Sequence, residues 1–391
     1  MYALTPALQT YDWGDATAIP RLLGTEPPGG PVAEAWWGAH PAAPAVATAR
    51  DGASLPLDAL IAKDPVGALG ADVAERFDGR LPYLLKVLAI AKPLSLQVHP
   101  SEDQARRGFD EDERLGLPID DPARTYRDPN HKPEMILAVT PMTVLSGFRP
   151  VAELVADLAL MDADGARVLE GVLGDADDEA DAISEYIDAC LRGIVTMPVL
   201  TSLKAAVAAG RGSDAMHAAA NALDAHPGDP GALVVLAMNV VTLEPGDAVF
   251  TADGVVHSYQ SGVGVEIMAN SDNVIRAGLT SKPIDVGRLL YLANAEPEPP
   301  EVPRESTEGP VRTLRVPADE FALAVVSDGD TALPRGPRMV LAIDGEATLV
   351  AGGESRTLRT GEAAFVPASD GPLAVTVRGL ATLAWVPTPE V

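Results

Sequence analysis

The period of its apolar residues sets what a chain can bury, and in this chain the period changes twice. Residues 1 to about 150 carry short apolar runs broken by Pro and Gly, such as Leu81-Pro-Tyr-Leu-Leu-Lys-Val-Leu88 and Glu134-Met-Ile-Leu-Ala-Val139. Runs of that length between turn residues read as β-strands. From Val151 the spacing becomes three and four, as in Val151-Ala-Glu-Leu-Val-Ala-Asp-Leu158, which is the mark of an amphipathic helix. Asp177 to Leu191 and Met216 to Leu223 repeat that pattern, and His226-Pro-Gly ends it. Strand character returns at Val234 and runs to about 290. Asn294-Ala-Glu-Pro-Glu-Pro-Pro-Glu-Val-Pro303 reads as an extended, solvated linker, and short strands with Gly-rich turns follow it.

The expected fold is therefore mainly β with an α-helical insertion. Residues 1–150 plus 231–293 form one discontinuous β unit, 151–230 a helical unit, 294–309 a linker and 310–391 a C-terminal β unit. The two β units share an echo. Leu243-Glu-Pro-Gly246-Asp-Ala-Val-Phe250 matches Leu358-Arg-Thr-Gly361-Glu-Ala-Ala-Phe365 in spacing. The first copy leads to His257; the corresponding place in the second is Pro372, so the second unit is read as structural.

Composition limits the partners. The 56 acidic residues outnumber 29 Lys and Arg, for a net charge of −27. Such a surface repels nucleic acid and anionic lipid. An anionic substrate would need a local cluster of cations set against that field. The single cysteine, Cys190, permits no internal disulfide and reads as a small buried hydrophobe. The N-terminus has no signal-peptide pattern, and the apolar run from Gly231 to Met238 is far short of the ~20 residues of a membrane span. A soluble, cytoplasmic monomer is expected.

The chemistry concentrates around Leu94-Ser-Leu-Gln97-Val-His99-Pro100. Residues i and i+2 of a strand share a face, so Gln97 and His99 can grip one object. Glu134 follows in His131-Lys132-Pro133-Glu134, and His257 in Val255-Val-His257-Ser-Tyr259. Two imidazoles, a carboxylate and an amide oxygen suit a zinc ion with a position left open. Gln97 has a rival reading as a hydrogen-bonding brace, and Glu134 as a surface carboxylate. His217 and His226, in the helical unit, read as structural, and so can His40. The stretch from Glu266 through Asp272, Asn273 and Arg276 to Lys282 mixes acids, amide and cations, and could hold a polyhydroxylated anion. Its bland reading is an Asx-turn with a surface salt bridge.

These segments, with Tyr11-Asp-Trp13-Gly14, Ala33-Glu34-Ala-Trp36-Trp-Gly38-Ala-His40-Pro41, Asn130-His131-Lys132-Pro133-Glu134 and Leu145-Ser-Gly147-Phe148-Arg149-Pro150, resemble type I mannose-6-phosphate isomerases over residues 2 to about 290. The resemblance implies a cupin-type β-barrel (jelly-roll) domain, a helical domain and a second, non-catalytic cupin-like barrel. It implies one zinc per chain on Gln97, His99, Glu134 and His257. Ser95 and Lys282 would hold a substrate phosphate. Arg276, Lys132 and His131 would stand at the reacting end, with Asp272 and Glu266 as nearby carboxylates. Trp13, Lys86 and Tyr259 would line or brace the pocket. Val256 departs from the Pro common before the third-region His, and Gln260 from a common aliphatic.

The implied reaction interconverts mannose 6-phosphate and fructose 6-phosphate through a cis-enediol. The base can be Glu266, Asp272 or Lys132. The alternative is a non-catalytic metal-binding cupin that senses a sugar phosphate. An iron oxygenase would use a two-His, one-carboxylate set, and Gln97 as a fourth ligand argues against it.

Overall fold

The computed structural model describes residues 1–121, 124–193, 197–282 and 284–388. The apolar runs of the first unit pair as strands. Tyr83–Ile90 is buried along its whole length, between Glu34–Gly38 and the long strand His257–Ala269. A strand covered on both faces reads as a continuous apolar run, and Lys86 alone interrupts this one.

His257–Ala269 is the hub. Its first half pairs with Met142–Phe148 and, at His257, with Leu96–Val98. Its second half pairs with Tyr83–Ile90 on one side and Glu134–Ala138 on the other. Gly262, at φ 105°, lets the strand pass from one set of partners to the other; a Cβ there would stand 2.5 Å from the Pro141 carbonyl oxygen. Ten strands make up this sheet, and their pairing is open, with no closed ring among the described residues.

A second sheet of ten strands occupies the C-terminal part. It recruits the other end of the chain. Tyr2–Thr5 pairs with Ala363–Val366 on one side and Val46–Thr48 on the other. The two sheets share one apolar core, in which Trp37, Tyr83 and Leu85 meet Leu314, Phe321, Leu341 and Phe365.

The helical insertion runs through Val151–Leu158, Asp164–Asp175, Glu179–Leu191, Met197–Ala208 and Asp214–Ala225. It continues further than its periodicity indicates. Gly231–Leu236 is a helix, where strand character was expected from Val234. All six of its residues are buried. A short run buried on every side has no polar face, so period alone cannot separate helix from strand. Cys190 is buried in its helix, as expected, and burial pushes its thiol up to about 12.

Two further segments differ from the expected short strands and solvated linker. Glu102–Arg114 is a helix, opened by a capping box between Ser101 and Gln104. The Pro/Glu stretch is extended but not free. The Phe250 amide donates to the Glu301 carbonyl at 2.9 Å, and a strand, Arg304–Glu308, begins inside the expected linker. The internal echo has a structural counterpart. Gly246 and Gly361, at φ 100° and 82°, each turn one strand into the next.

Candidate active site

Three segments distant in sequence deliver the proposed metal ligands. His99 follows the strand Leu96–Val98, Glu134 opens Glu134–Ala138, and His257 opens the hub strand. All three are buried, and each offers a ligand atom within 4.8 Å of the others. His99 Nε2 lies 3.4 Å from Glu134 Oε1, and His257 Nε2 lies 3.2 Å from Glu134 Oε2. Gln97 is the cross-strand partner of His257 on one side and of Arg276 on the other. Directly opposed residues share a face, so Gln97 belongs to the same wall. Its amide donates to Ser95 Oγ at 3.3 Å.

The outer nitrogens show what the inner ones offer. His99 Nδ1 is 2.8 Å from the Asn273 carbonyl oxygen, and His257 Nδ1 is 3.0 Å from that of Val255. A carbonyl only accepts, so each Nδ1 carries a proton, and each Nε2 is turned toward the Glu134 carboxylate, where a metal ion would find it. His99 Nε2 is buried with no hydrogen-bond partner. Burial, aided by the Lys132 charge, lowers the His99 pKa to about 4, which keeps the ring a neutral donor. Burial opposes ionisation of Glu134, but the Lys132 ammonium bonded to its Oε1 holds the carboxyl well below its usual range. Two imidazole nitrogens and a carboxylate are a donor set that fits zinc.

A second cluster lies along the adjoining strands. Lys86 is buried, 3.0 Å from Glu266 Oε2 and 3.6 Å from Glu34 Oε2. Trp36 Nε1 donates to Glu34 at 2.5 Å, and the Lys86 ammonium lies 5.0 Å from the Trp36 ring centre. Burial raises the Glu266 pKa against the opposing charge of Lys86. Tyr259 is buried beside this group, and burial and the Glu266 charge push its phenol up. Trp13 packs against the same small core as Tyr259 and stacks on Tyr11 at 5.8 Å.

The third cluster is cationic. Arg276 is half-buried, and its pKa is lowered by burial and by Arg127. Lys282 is exposed, and its pKa is lowered by Arg276, by burial and by Arg127. None of the three side chains has an ion-pair partner among the described residues. Asn273 sets their frame. Its amide donates to the carbonyls of Asp128 and Asn130 at 2.7 and 2.9 Å and accepts from the Arg127 amide at 2.8 Å. It is thus a buried brace rather than part of a surface turn.

Not every expected residue joins these groups. His131 spends both ring nitrogens elsewhere, on Asp253 at 3.1 Å and Glu320 at 2.9 Å. Burial disfavours its charge, but those two carboxylates outweigh it and raise the pKa to about 10. Asp272 is exposed, 3.5 Å from His40 Nε2. His226 bonds the Pro93 carbonyl at 3.0 Å, a structural use. Val256 and Gln260 leave the ligands in place: Val256 is buried, and Gln260 donates to Ser258 Oγ at 2.8 Å. Sequence reasoning assigned no role to Glu34, Arg127 or Glu320. For Glu34 a signal existed, because Glu34 and Trp36 repeat the i, i+2 spacing of Gln97 and His99.

Residues 1–151 match the family model of the phosphomannose isomerase type I catalytic domain. The chain is 36% identical to mannose-6-phosphate isomerase of Escherichia coli strain K12, with 99% of each chain covered. Its structure superposes on a mutant phosphomannose isomerase from Salmonella typhimurium with a TM-score of 0.91, at 32% identity, covering 99% of this chain and 100% of that one. A mannose 6-phosphate isomerase solved with zinc bound gives a TM-score of 0.89 at the same 32% identity, with 99% of each chain covered. With a buried two-His, one-Glu centre, a lysine–carboxylate group and unpaired cations on this shared scaffold, the chain belongs to the type I mannose-6-phosphate isomerase family.

Proposed function

We propose that this protein interconverts D-mannose 6-phosphate and D-fructose 6-phosphate, using one zinc ion held by His99, Glu134, His257 and Gln97. One observation carries the reading: two imidazole Nε2 atoms converge on a buried carboxylate, beside cations with no ion-pair partner among the described residues of a strongly acidic chain. Bound zinc supplies positive charge that polarises sugar oxygens. The remaining chemistry falls to side chains. Lys282, Ser95 and Arg127 hold the phosphate. Arg276 faces the negative charge that develops as the C2 proton leaves. Glu266 takes that proton; a hydroxyl proton passes from O2 to O1 through the cis-enediol, and Glu266 returns its own proton to C1 to complete the ketose. Its raised pKa brings a carboxylate nearer to the operating pH of a base. Lys86 orients it, while Lys132 neutralises Glu134. His131, protonated and bonded at both nitrogens, is not the base, and Asp272 shapes the mouth with His40. Trp13 and Tyr259 line the wall.

The scaffold is read as a cupin-type jelly roll, with a catalytic unit of residues 1–150 plus 231–293, a helical unit of 151–230 and a degenerate C-terminal copy. The protein works as a cytoplasmic monomer without nucleic acid or membrane partners. The charge of −27 disfavours polyanionic partners, and no helix among the described residues is long and apolar enough to cross a membrane. A sensor would need neither Glu266 poised beside Lys86 nor Arg276 beside the metal wall.

A coupled assay for fructose 6-phosphate tests the proposal. Turnover should vanish on chelation and return with zinc. A folded, zinc-loaded sample without activity defeats the reaction; full activity in verified metal-free protein defeats the metal's role.

A further inference from the structure

The segment that carries Lys132 and Glu134 is tied down from a direction that metal binding does not require. His131, next to Lys132, is a cross-link between three parts of the chain. Its Nδ1 meets Asp253 at 3.1 Å, and its Nε2 meets Glu320 at 2.9 Å. Asp253 stands on the turn that leads into His257. That turn already touches both imidazole ligands: the Gly254 amide donates to the His99 carbonyl at 2.9 Å, and the Val255 carbonyl accepts from His257 Nδ1 at 3.0 Å.

Glu320 comes from the other side, 189 positions along the chain from His131. It precedes Phe321, which is buried in the core shared by the two sheets. Its backbone is therefore anchored. A ring bonded at one nitrogen can still pivot about its bond to Cβ. Bonded at both, by charge-assisted contacts, it is fixed. The contacts are partly buried, so solvent ions screen them weakly.

We propose that Glu320, from the C-terminal unit, is a positioning residue for the reaction. Through His131 it fixes the Lys132–Glu134 segment against the turn that enters His257. The C-terminal unit, read from sequence as structural, then completes the active site of the first. This rests on the isomerase reading, which wild-type turnover in the same assay tests separately.

The experiment uses full-length, zinc-loaded Glu320→Ala and Glu320→Gln proteins. It compares kcat, KM, zinc content and Tm with wild type. Misplacing a catalytic segment by about an ångström costs roughly ten- to a hundredfold in rate, so kcat of Glu320→Ala should fall by about that much. KM and zinc content should stay near wild type. Glu320→Gln keeps an oxygen that accepts from His131 Nε2 and should recover most of the loss. The proposal is overturned if Glu320→Ala keeps wild-type kcat. It is equally overturned if the loss merely follows zinc content or the folded fraction, or if Gln is no better than Ala. Should Glu320→Ala fail to fold, Glu320→Asp, with its carboxylate drawn back by one methylene, carries the test. Reduced kcat with fold and zinc intact supports the role, and unchanged kcat overturns it.

Discussion

Asn273→Ala should be the most costly small substitution near the site. The side chain is fully buried and satisfied at both ends. Its amide nitrogen bonds the carbonyls of Asp128 and Asn130, and its oxygen holds the Arg127 amide. Alanine removes these bonds and a longer one to Asp128 Oδ1 at 3.3 Å, and orphans the Arg127 amide and the Asp128 carbonyl, while the Asn130 carbonyl keeps the Ser271 hydroxyl. A made hydrogen bond contributes about 1 kcal/mol net, and a buried orphan costs about 1–3 kcal/mol. Asp128 and Asn130 are half-buried, so water recovers part of that. A loss of about 3–4 kcal/mol follows, a large fraction of the ~5–15 kcal/mol that holds a domain folded. The same residue's carbonyl fixes the His99 ring through Nδ1. Loosening such a partner typically weakens metal binding by about ten- to a hundredfold. Urea unfolding followed by tryptophan fluorescence reads the first quantity, since Trp13, Trp36 and Trp37 all lie in the catalytic unit. Zinc competition with a chelating dye reads the second. A stability loss below about 1 kcal/mol, with zinc affinity unchanged, would refute the idea that one amide braces both the cation loop and the metal ligand.

Two other substitutions probe the remaining clusters. Arg127→Ala should raise KM by about three- to tenfold with kcat nearly unchanged, and the effect should shrink at high salt because the side chain is exposed; a KM change insensitive to salt counts against a phosphate role. Lys86→Met leaves Glu34 and Glu266 buried without their shared cation, at a cost of about 3–5 kcal/mol. Glu266 then binds its proton more tightly when folded than when unfolded, so stability should be better preserved below its unfolded pKa and lost as pH rises through the raised folded value. If Glu266 is the base, the acid limb of the pH–rate profile should move to higher pH in the same variant, and an unmoved limb excludes it.

The cluster of His99, Glu134 and His257 was legible because its constraint is local and chemical. Strand period puts Gln97 and His99 on one face, and imidazole is rare in this chain, with six in 391 residues. The helix Gly231–Leu236 was not legible, because burial on every side erases the polar stripe that period analysis needs. Register hid the rest. Glu266 faces Lys86 and Trp36 faces Lys86 only because three strands align at those positions. His131 beside Lys132 looked like a second cation for the reacting end. Its two acceptors come from residues 253 and 320, and no local pattern announces contacts of that range.

The sign of the local field explains why this site can sit in so acidic a chain. Around the metal wall the carboxylates have partners, two of them sharing one cation. Glu134 has Lys132, Glu266 has Lys86, and Glu34 has Lys86 and the Trp36 indole. Asp128 accepts from the Ser271 hydroxyl and the Asp272 amide. The cations at the outer edge, Arg127, Arg276 and Lys282, are left without an ion-pair partner among the described residues; Arg127 lowers the proton affinity of Arg276, and both arginines lower that of Lys282. No carboxylate among the described residues pairs with them, so a dianion arriving there gains what the folded chain gives up. The net charge of −27 keeps other polyanions at a distance. A small sugar phosphate can still reach cations whose neighbouring acids are already engaged by other partners, which is the arrangement that an isomerase of phosphorylated sugars needs on an acidic surface.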